Sequence, residues 1–154
     1  MQLKSSAFRA GGAIPARYTC EGDNISPELT WSELPAGTQS LALVLHDPDA
    51  PREGGFTHWV VYNIDPSLGQ LDENLPRAET STAGVQGKND SGKIGYMGPC
   101  PPSGSHRYIA RLLALDTELN LKPGASHREL ASAMESHILD QAALMGTYAK
   151  KAAA

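Results

Sequence analysis

Two carboxylates and an imidazole stand close together in the sequence, at the ends of two apolar runs. Asp47 and Asp49 come just after the first run, Leu41–Leu45, and His58 precedes the second run, residues 59–64. Both runs are rich in Val, Leu, Ile or aromatic residues, which predicts buried β-strands. Prolines follow closely after both acids and restrict φ there, so the connecting loop is expected to be stiff. A stiff loop that holds acids near an imidazole predicts a binding site.

A second polar loop, residues 96–105, is rich in proline and glycine and leads to His106. Gly98 can let backbone amides approach a ligand closely, whereas Pro102 and its neighbouring prolines stiffen the loop. His106 precedes a third apolar run, residues 107–115, which predicts a strand, although a short buried helix can show the same pattern. Because strand ends cluster at the end of a sandwich, the two polar loops are predicted to meet in one pocket.

Such a pocket would combine carboxylates, imidazoles, a phenol and free amides. Imidazoles and amides donate hydrogen bonds to anions, and an imidazolium does so more strongly. Carboxylates can orient a histidine tautomer or accept hydrogen bonds from an ammonium or hydroxyl group. A small zwitterion such as phosphoethanolamine matches this mixed polarity. We hypothesise that His58 and His106 donate to the anion and that Asp47 and Asp49 fix the two imidazoles.

Other interpretations of these residues stay open. An aspartate before a proline is often only a turn former. The two acids and the two histidines are metal ligands by type, but no H-x-x-x-H or comparable spacing is present, so no metal is predicted. Ser103 and Ser105 lie near His106, yet nothing resembles a G-x-S-x-G nucleophile elbow. No catalytic residue is therefore predicted.

The remaining polar side chains near these loops are interpreted as structural. His46 and His127 are expected to be exposed, the first in a loop and the second in the first turn of a helix. His137 is expected to pack on the apolar face of that helix. Arg107 stands beside the predicted site, where it is either an anion ligand or a surface partner for an acid.

The C-terminal part of the sequence predicts a long amphipathic helix. Ser126 and Glu129 form a capping-box pattern at its start, and apolar residues then recur at helical spacing to about residue 149. Residues 65–105 contain few periodic apolar positions, and irregular segments of this length are usually functional or packed over a site. Several strands followed by one helix predict a mostly β sandwich with a C-terminal amphipathic helix.

Length and composition limit the classes of function. The 154 residues suit one domain, residues 1–154. With 13 basic and 17 acidic residues and no basic cluster, a surface for nucleic acid or anionic membranes is not expected. The N-terminal residues contain no apolar run long enough for a signal peptide or a membrane span, so a cytoplasmic location is expected. Cys20 and Cys100 are either two reduced thiols, as in a reducing compartment, or a disulfide that closes a long loop, and the sequence alone does not decide between these states.

Three blocks together resemble the signature blocks of the phosphatidylethanolamine-binding proteins, namely DPDAP at 47–51, HWVVYNI at 58–64 and GPCPPSGSHRY at 98–108. Two more blocks, YTCEGDNISPELTW at 18–31 and SHILDQAALMGTY at 136–148, are similar to the bacterial and archaeal branch, the Raf kinase inhibitor-like YbhB/YbcL proteins. The resemblance covers nearly the whole chain. No single block is specific, but the combination is.

This resemblance implies a sandwich of two antiparallel sheets with an anion pocket at one end, which takes phosphate-type groups including phosphoethanolamine head groups. The site residues that it implies are Asp47, Asp49, His58, Gly98, Pro102, His106 and Tyr108. It also implies a homodimer, and it suggests that Cys20 and Cys100 lie close together. Eukaryotic relatives inhibit kinases or serine proteases.

The resulting prediction is a non-enzymatic, regulatory protein that binds a small anionic or phosphorylated ligand and needs no cofactor. One rival prediction is an inhibitor of a kinase or serine protease, in which the pocket only modulates a protein partner. The other rival is a metal-assisted phosphoester hydrolase that uses the acids and the histidines.

Overall fold

Two antiparallel sheets make up most of the computed structural model, which describes residues 1–151. The smaller sheet contains, in spatial order, the strands β1 (Gln2–Lys4), β2 (Leu29–Ser32) and β5 (Gln70–Leu71). The larger sheet contains, in spatial order, β6 (Val85–Gln86), β4 (Phe56–Ile64), β3 (Ser40–Asp47), β7 (His106–Leu115) and β8 (Ile138–Tyr148). The described residues also include the helix α1 (His127–Met134) and two 3-10 turns, Ala16–Tyr18 and Pro66–Leu68. The predicted mostly β sandwich is confirmed.

The central strand β3 is buried on both faces, because the larger sheet is covered on both sides. One face packs against the smaller sheet and the N-terminal segment, with Leu43 and Trp59 in the contact. The other face packs against α1, with Val44 and Tyr62 contributed by the sheet and Leu130 by the helix. Two buried faces explain why the sequence of β3 is a continuous apolar run rather than an alternating one.

The prediction of a helix that extends to about residue 149 is wrong. The capping box at its start is confirmed, since Ser126 Oγ accepts from the Glu129 amide at 3.1 Å and Glu129 Oε1 accepts from the Ser126 amide at 3.2 Å. However, α1 ends at Met134, and Ser136 with φ of 70° turns the chain into β8. None of the helices within residues 1–151 is long and apolar enough to cross a membrane.

Pairing with β7 decides the conformation of β8. The two strands pair from Leu115 opposite Ile138 to His106 opposite Tyr148. Leu144 and Tyr148 are four residues apart, a spacing that places side chains on one face of a helix and equally on one face of a strand. Burial alternates along this part of β8, which is the strand pattern. The local sequence therefore fits both structures, and the long-range pairing selects the strand.

Antiparallel pairing brings three strand ends to the same edge of the larger sheet. Asp47 at the end of β3 pairs with Phe56 at the start of β4, and His46 pairs with Ile109 near the start of β7. His106 is the first residue of β7 and His58 is the third residue of β4, so both side chains come near Asp47. This edge carries the candidate site.

Candidate functional site

A cavity of about 300 Å³ opens at this edge of the larger sheet. Its polar side chains are Asp47, Arg52, His58, His106 and Tyr108. The rest of the lining is apolar or sulfur-containing and consists of Ala50, Pro51, Phe56, Met97, Cys100, Pro101 and Pro102. The cavity thus has a polar set of hydrogen-bonding groups within mostly apolar walls, a combination typical of small-molecule sites.

A turn with a required glycine joins the two strands that carry Asp47 and His58. Gly55 has φ of 75°, and a Cβ there would lie 2.3 Å from the Asp47 carbonyl oxygen. Glycine is therefore needed for the turn to fold back against the end of β3. All peptide bonds among the described residues are trans, including those before Pro48 and Pro51.

Asp47 holds His106 in one orientation. The His106 Nδ1–H donates to Asp47 Oδ2 at 2.6 Å, and both side chains are buried. The other carboxylate oxygen accepts from the Asp49 amide at 2.7 Å, so Asp47 is itself fixed by the loop. Because a carboxylate can only accept, His106 must keep its proton on Nδ1, and its Nε2 remains for a ligand.

His58 is held by a backbone carbonyl and not by a carboxylate. Its Nδ1–H donates to the Met97 carbonyl oxygen at 2.6 Å, and burial lowers its pKa from the usual value. His58 is therefore neutral at pH 7, with an unprotonated Nε2 that accepts hydrogen bonds. The hypothesis that His58 donates to an anion thus needs revision, since the neutral ring has no second N–H to offer.

Tyr108 carries a buried hydroxyl that lies near the Asp47 carboxylate and the Cys100 backbone but makes a well-formed hydrogen bond with neither among the described residues. Its side chain is 1 % exposed, and its ring stacks on His106 at 6.4 Å and meets His58 edge-on at 5.3 Å between ring centroids. Burial, together with the negative charge of Asp47, raises the pKa of Tyr108 well above its usual range, so the hydroxyl stays protonated. An unpaired buried hydroxyl costs about 1–3 kcal/mol, and such a group in a cavity wall is a natural contact for a ligand.

Asp49 and Gly98 lie outside the cavity lining. The Asp49 carboxylate accepts from the backbone amide, Nε and Nη2 of Arg107 at 2.8, 3.0 and 2.8 Å. These bonds lower the pKa of Asp49 to about 2, and they identify Arg107 as the partner of an acid. The Gly98 amide donates to Asn24 Oδ1 at 2.8 Å, and a Cβ at Gly98 would lie 2.3 Å from that oxygen. Gly98 therefore permits close packing of two protein segments and not of a ligand.

A disulfide joins Cys20 to Cys100, which is part of the cavity lining, with the Cα atoms 5.5 Å apart. Of the two states that the sequence allows, the structure has the disulfide and not two reduced thiols. The Cys20 amide also donates to the Pro99 carbonyl oxygen at 3.1 Å, so the loop that precedes His106 is tied to the N-terminal segment. Disulfides are typical of oxidising environments, so this bond does not support the expected cytoplasmic location.

A second histidine cluster lies on the opposite face of the β3–β4 hairpin. His46 and His127 are half-buried rather than exposed, and both contact Thr57 Oγ1, at 3.0 and 2.9 Å from their Nδ1 atoms. A cavity of about 640 Å³ adjoins this cluster. His137 lies outside the helix, and its Nδ1–H donates to Asp116 at 2.8 Å near the surface. No group of three or more His, Cys, Asp or Glu side chains in residues 1–151 is arranged to hold a metal ion.

Sequence reasoning did not identify Arg52, Phe56 and Met97 as parts of the cavity wall. Phe56 stands two residues before His58, so the alternation of a strand places both side chains on one face, and this signal was available. Arg52 and Met97 lie in irregular loops, and the sequence contains no periodic pattern that predicts where such side chains lie.

The whole chain matches known proteins along nearly its full length. The family model described as phosphatidylethanolamine-binding protein matches residues 4–149. A UPF0098 protein of Methanothermobacter thermautotrophicus is 55% identical over 149 residues, which cover 96% of this chain and 98% of the relative. The chain therefore belongs to the phosphatidylethanolamine-binding protein family, in its bacterial and archaeal branch.

Two solved structures have the same fold. The crystal structure of CT736 from Chlamydia trachomatis, described as a homologue of phosphatidylethanolamine-binding protein, is 43% identical with a TM-score of 0.88 over 97% of both chains. That of Escherichia coli YbcL, described as a new member of the mammalian family, is 33% identical with a TM-score of 0.90 over 97% of this chain and 98% of YbcL. The recognised family and fold are thereby confirmed.

Proposed function

We propose that this protein is a non-enzymatic, regulatory binding protein for a small anionic ligand of the phosphate or phosphoethanolamine type. The ligand occupies the cavity lined by Asp47, His58, His106 and Tyr108. The observation that carries this proposal is the buried Tyr108 hydroxyl, which makes no well-formed hydrogen bond within residues 1–151. The Tyr108 ring stacks on His106, whose Nδ1 is held by Asp47 and whose Nε2 is not used in that bond. The proposal includes a homodimer, as the family resemblance implies.

Each polar group has a distinct part in binding such a ligand. The protonated Tyr108 hydroxyl donates to an anionic oxygen, and His106 Nε2 does the same when the ring is protonated. Neutral His58 accepts from a protonated group of the ligand, such as a hydroxyl or an ammonium. The Asp47 carboxylate is already used by His106 and by the loop amide, so it acts by orienting His106.

The apolar walls indicate that the ligand is more than a bare ion. Phe56, Met97 and Pro102 line the cavity and offer no hydrogen bond from their side chains. Its volume of about 300 Å³ leaves space beside an anionic group for a short organic body. A phosphate ester with a small substituent suits both the polar groups and these walls.

The conservative variant Tyr108→Phe tests the proposal, because it removes only the hydroxyl. Without ligand, the free energy of unfolding should stay equal or rise by up to about 1 kcal/mol, since an unpaired buried hydroxyl is lost. The affinity for phosphoethanolamine, measured by titration calorimetry, should fall by about tenfold, the value of one hydrogen bond to a charged group. Absence of saturable binding by the wild type, or equal affinity of wild type and Tyr108→Phe, would contradict the proposal.

A further inference from the structure

Arg52 belongs to the loop that joins β3 and β4, and it lies between the two cavities. Its side chain lines the 300 Å³ cavity that contains His106 and also the 640 Å³ cavity beside His127. The guanidinium Cζ is 5.6 Å from the centroid of the Phe56 ring, which itself forms part of the first cavity wall. This contact of a cation with an aromatic face places the charge of Arg52 at the rim of the first cavity.

Only one permanent positive charge among the described lining residues can attract an anion into the cavity. Asp47 is negative, and a protonated His106 would only balance it, because the two side chains form one pair. His58 is uncharged at neutral pH, since burial lowers its pKa. Among the described residues that line the cavity, Arg52 alone carries a permanent positive charge. The attraction of the cavity for a second negative charge therefore has to come from Arg52.

The present contacts of Arg52 leave its guanidinium available. Its nearest acidic atom is Asp90 Oδ2, which is 3.9 Å from Nη1, too long for a hydrogen bond. That carboxylate oxygen already accepts from the Thr57 amide at 2.8 Å. The Arg52 side chain is 51% exposed, so its pairing with Asp90 is weak and can be exchanged for a ligand at little cost.

We propose that Arg52 is a specificity-determining residue, which makes the cavity prefer doubly charged anions such as phosphate monoesters over singly charged anions of the same shape. The inference rests on the proposed function, because it concerns the ligand of the same cavity. When a dianion enters, the guanidinium leaves Asp90 and donates hydrogen bonds to the anionic oxygens at the rim. Tyr108 and His106 contact the deeper oxygens and recognise monoanions and dianions alike.

Two isosteric esters test this inference. Ethyl phosphate carries two charges at about pH 7.5, above its second pKa near 6, whereas ethyl sulfate carries one. Titration calorimetry on the full chain should show about tenfold tighter binding of the phosphate, a ratio that corresponds to about 1.4 kcal/mol. In Arg52→Gln this ratio should fall to about one, while the affinity for ethyl sulfate changes less than about twofold. Arg52→Lys keeps a positive charge but loses the planar guanidinium, so it should retain part of the preference for the phosphate.

Arg128→Gln is the matched control, because Arg128 lines the second cavity and not the first. This variant loses the same charge nearby and should keep the wild-type ratio of affinities. An unchanged ratio in Arg52→Gln, or a wild type without preference, would overturn the role of Arg52 and leave the proposed function standing. If the wild type binds neither ester, the proposed function itself is overturned.

Discussion

Two histidine pairs lie on opposite faces of the same β3–β4 hairpin, and they use their hydrogen-bonding groups differently. His46 and His127 are joined through Thr57, and His46 Nε2 also donates to the Gly54 carbonyl oxygen at 2.8 Å. With neutral rings the order of donors is fixed: the His127 Nδ1–H donates to the Thr57 hydroxyl, which donates to His46 Nδ1. Thr57 therefore has its donor and its acceptor satisfied within the protein.

On the other face, His58 and His106 each use only Nδ1 in the hydrogen bond that orients the ring within the protein. The Tyr108 ring contacts both histidine rings, and its hydroxyl makes no well-formed hydrogen bond within residues 1–151. Satisfied buried groups stabilise a fold, whereas unsatisfied ones lower stability and gain a partner only when a ligand arrives. Residue type alone does not separate these two roles, because both clusters contain two histidines close to an aspartate or a hydroxyl.

The largest expected difference between the two pairs is in ligand affinity. His106→Asn keeps an N–H near the Nδ1 position, which can still donate to Asp47, but it removes Nε2. We expect the affinity for phosphoethanolamine to fall by about 10- to 100-fold, as for a lost hydrogen bond to a charged group, with little change in melting temperature. The asparagine is preferable to alanine, which would leave the Asp47 charge buried without a partner, at a cost of about 3–5 kcal/mol.

The matched control for this variant is His127→Asn on the opposite face. It keeps an N–H that can donate to Thr57, and it should bind phosphoethanolamine as the wild type does. Titration calorimetry on both variants decides the comparison. A loss of affinity in His127→Asn that equals the loss in His106→Asn would show that the two faces do not have separate roles.

The second expected effect is on stability and is confined to the satisfied cluster. Thr57→Val has nearly the same shape as the wild type but leaves both His46 Nδ1 and the His127 Nδ1–H without a partner. We expect the free energy of unfolding, measured with urea, to decrease by about 1–3 kcal/mol. Thr57→Ser keeps the hydroxyl, so its free energy of unfolding should decrease by less. Ligand affinity should stay within about twofold of the wild type, and a variant with weaker binding but unchanged stability would refute the structural role.

The sequence predicts the elements that hold the site better than it predicts the contacts within it. The apolar runs correctly indicate β3, β4 and β7, and their polar ends correctly indicate that Asp47, His58 and His106 meet. Periodicity fails at β8, where Leu144 and Tyr148 suit either a helix or a strand until pairing with β7 decides. Long-range pairing of this kind is not encoded in a local window of sequence.

Contacts that depend on packing between distant segments could not be predicted. The Asp49 carboxylate is hydrogen-bonded to Arg107, 58 residues further along the chain, and not to a histidine. Thr57 and His127 are 70 residues apart and meet only because α1 packs on the larger sheet. Charge and residue type give no signal for such partners, so a sequence interpretation brings Asp47, His58 and His106 to one cavity but does not show that Asp49 lies outside it.

The smallest expected effect is on the pH titration of the histidines. A ligand should change the titration of a histidine on one face of the hairpin and not that of a histidine on the other face. Burial lowers the pKa of both His58 and His127, and the nearby His46 lowers that of His127 further. Unfolded histidines titrate near pH 6.5, so below that pH these two side chains bind more protons in the unfolded chain, and their contribution to the free energy of unfolding decreases on acidification. Asp49, whose pKa is about 2, loses its contribution to the free energy of unfolding only between about pH 4 and pH 2, below the range in which the histidines titrate.

Histidine-resolved NMR titrations from pH 8 to pH 5 measure both groups in one experiment, and each should titrate below about 6.5. Saturating phosphoethanolamine should move the titration of His58 and leave that of His127 in place, because the ligand contacts one face of the hairpin. A ligand-induced change in the titration of His127, or a titration of either histidine above about pH 6.5, would contradict this assignment. The neutral ring of His58 accepts a hydrogen bond from the ligand, so protonation of this ring on acidification should weaken ligand binding. His127 differs, because its partner is Thr57 within the protein and its hydrogen bond does not depend on a ligand.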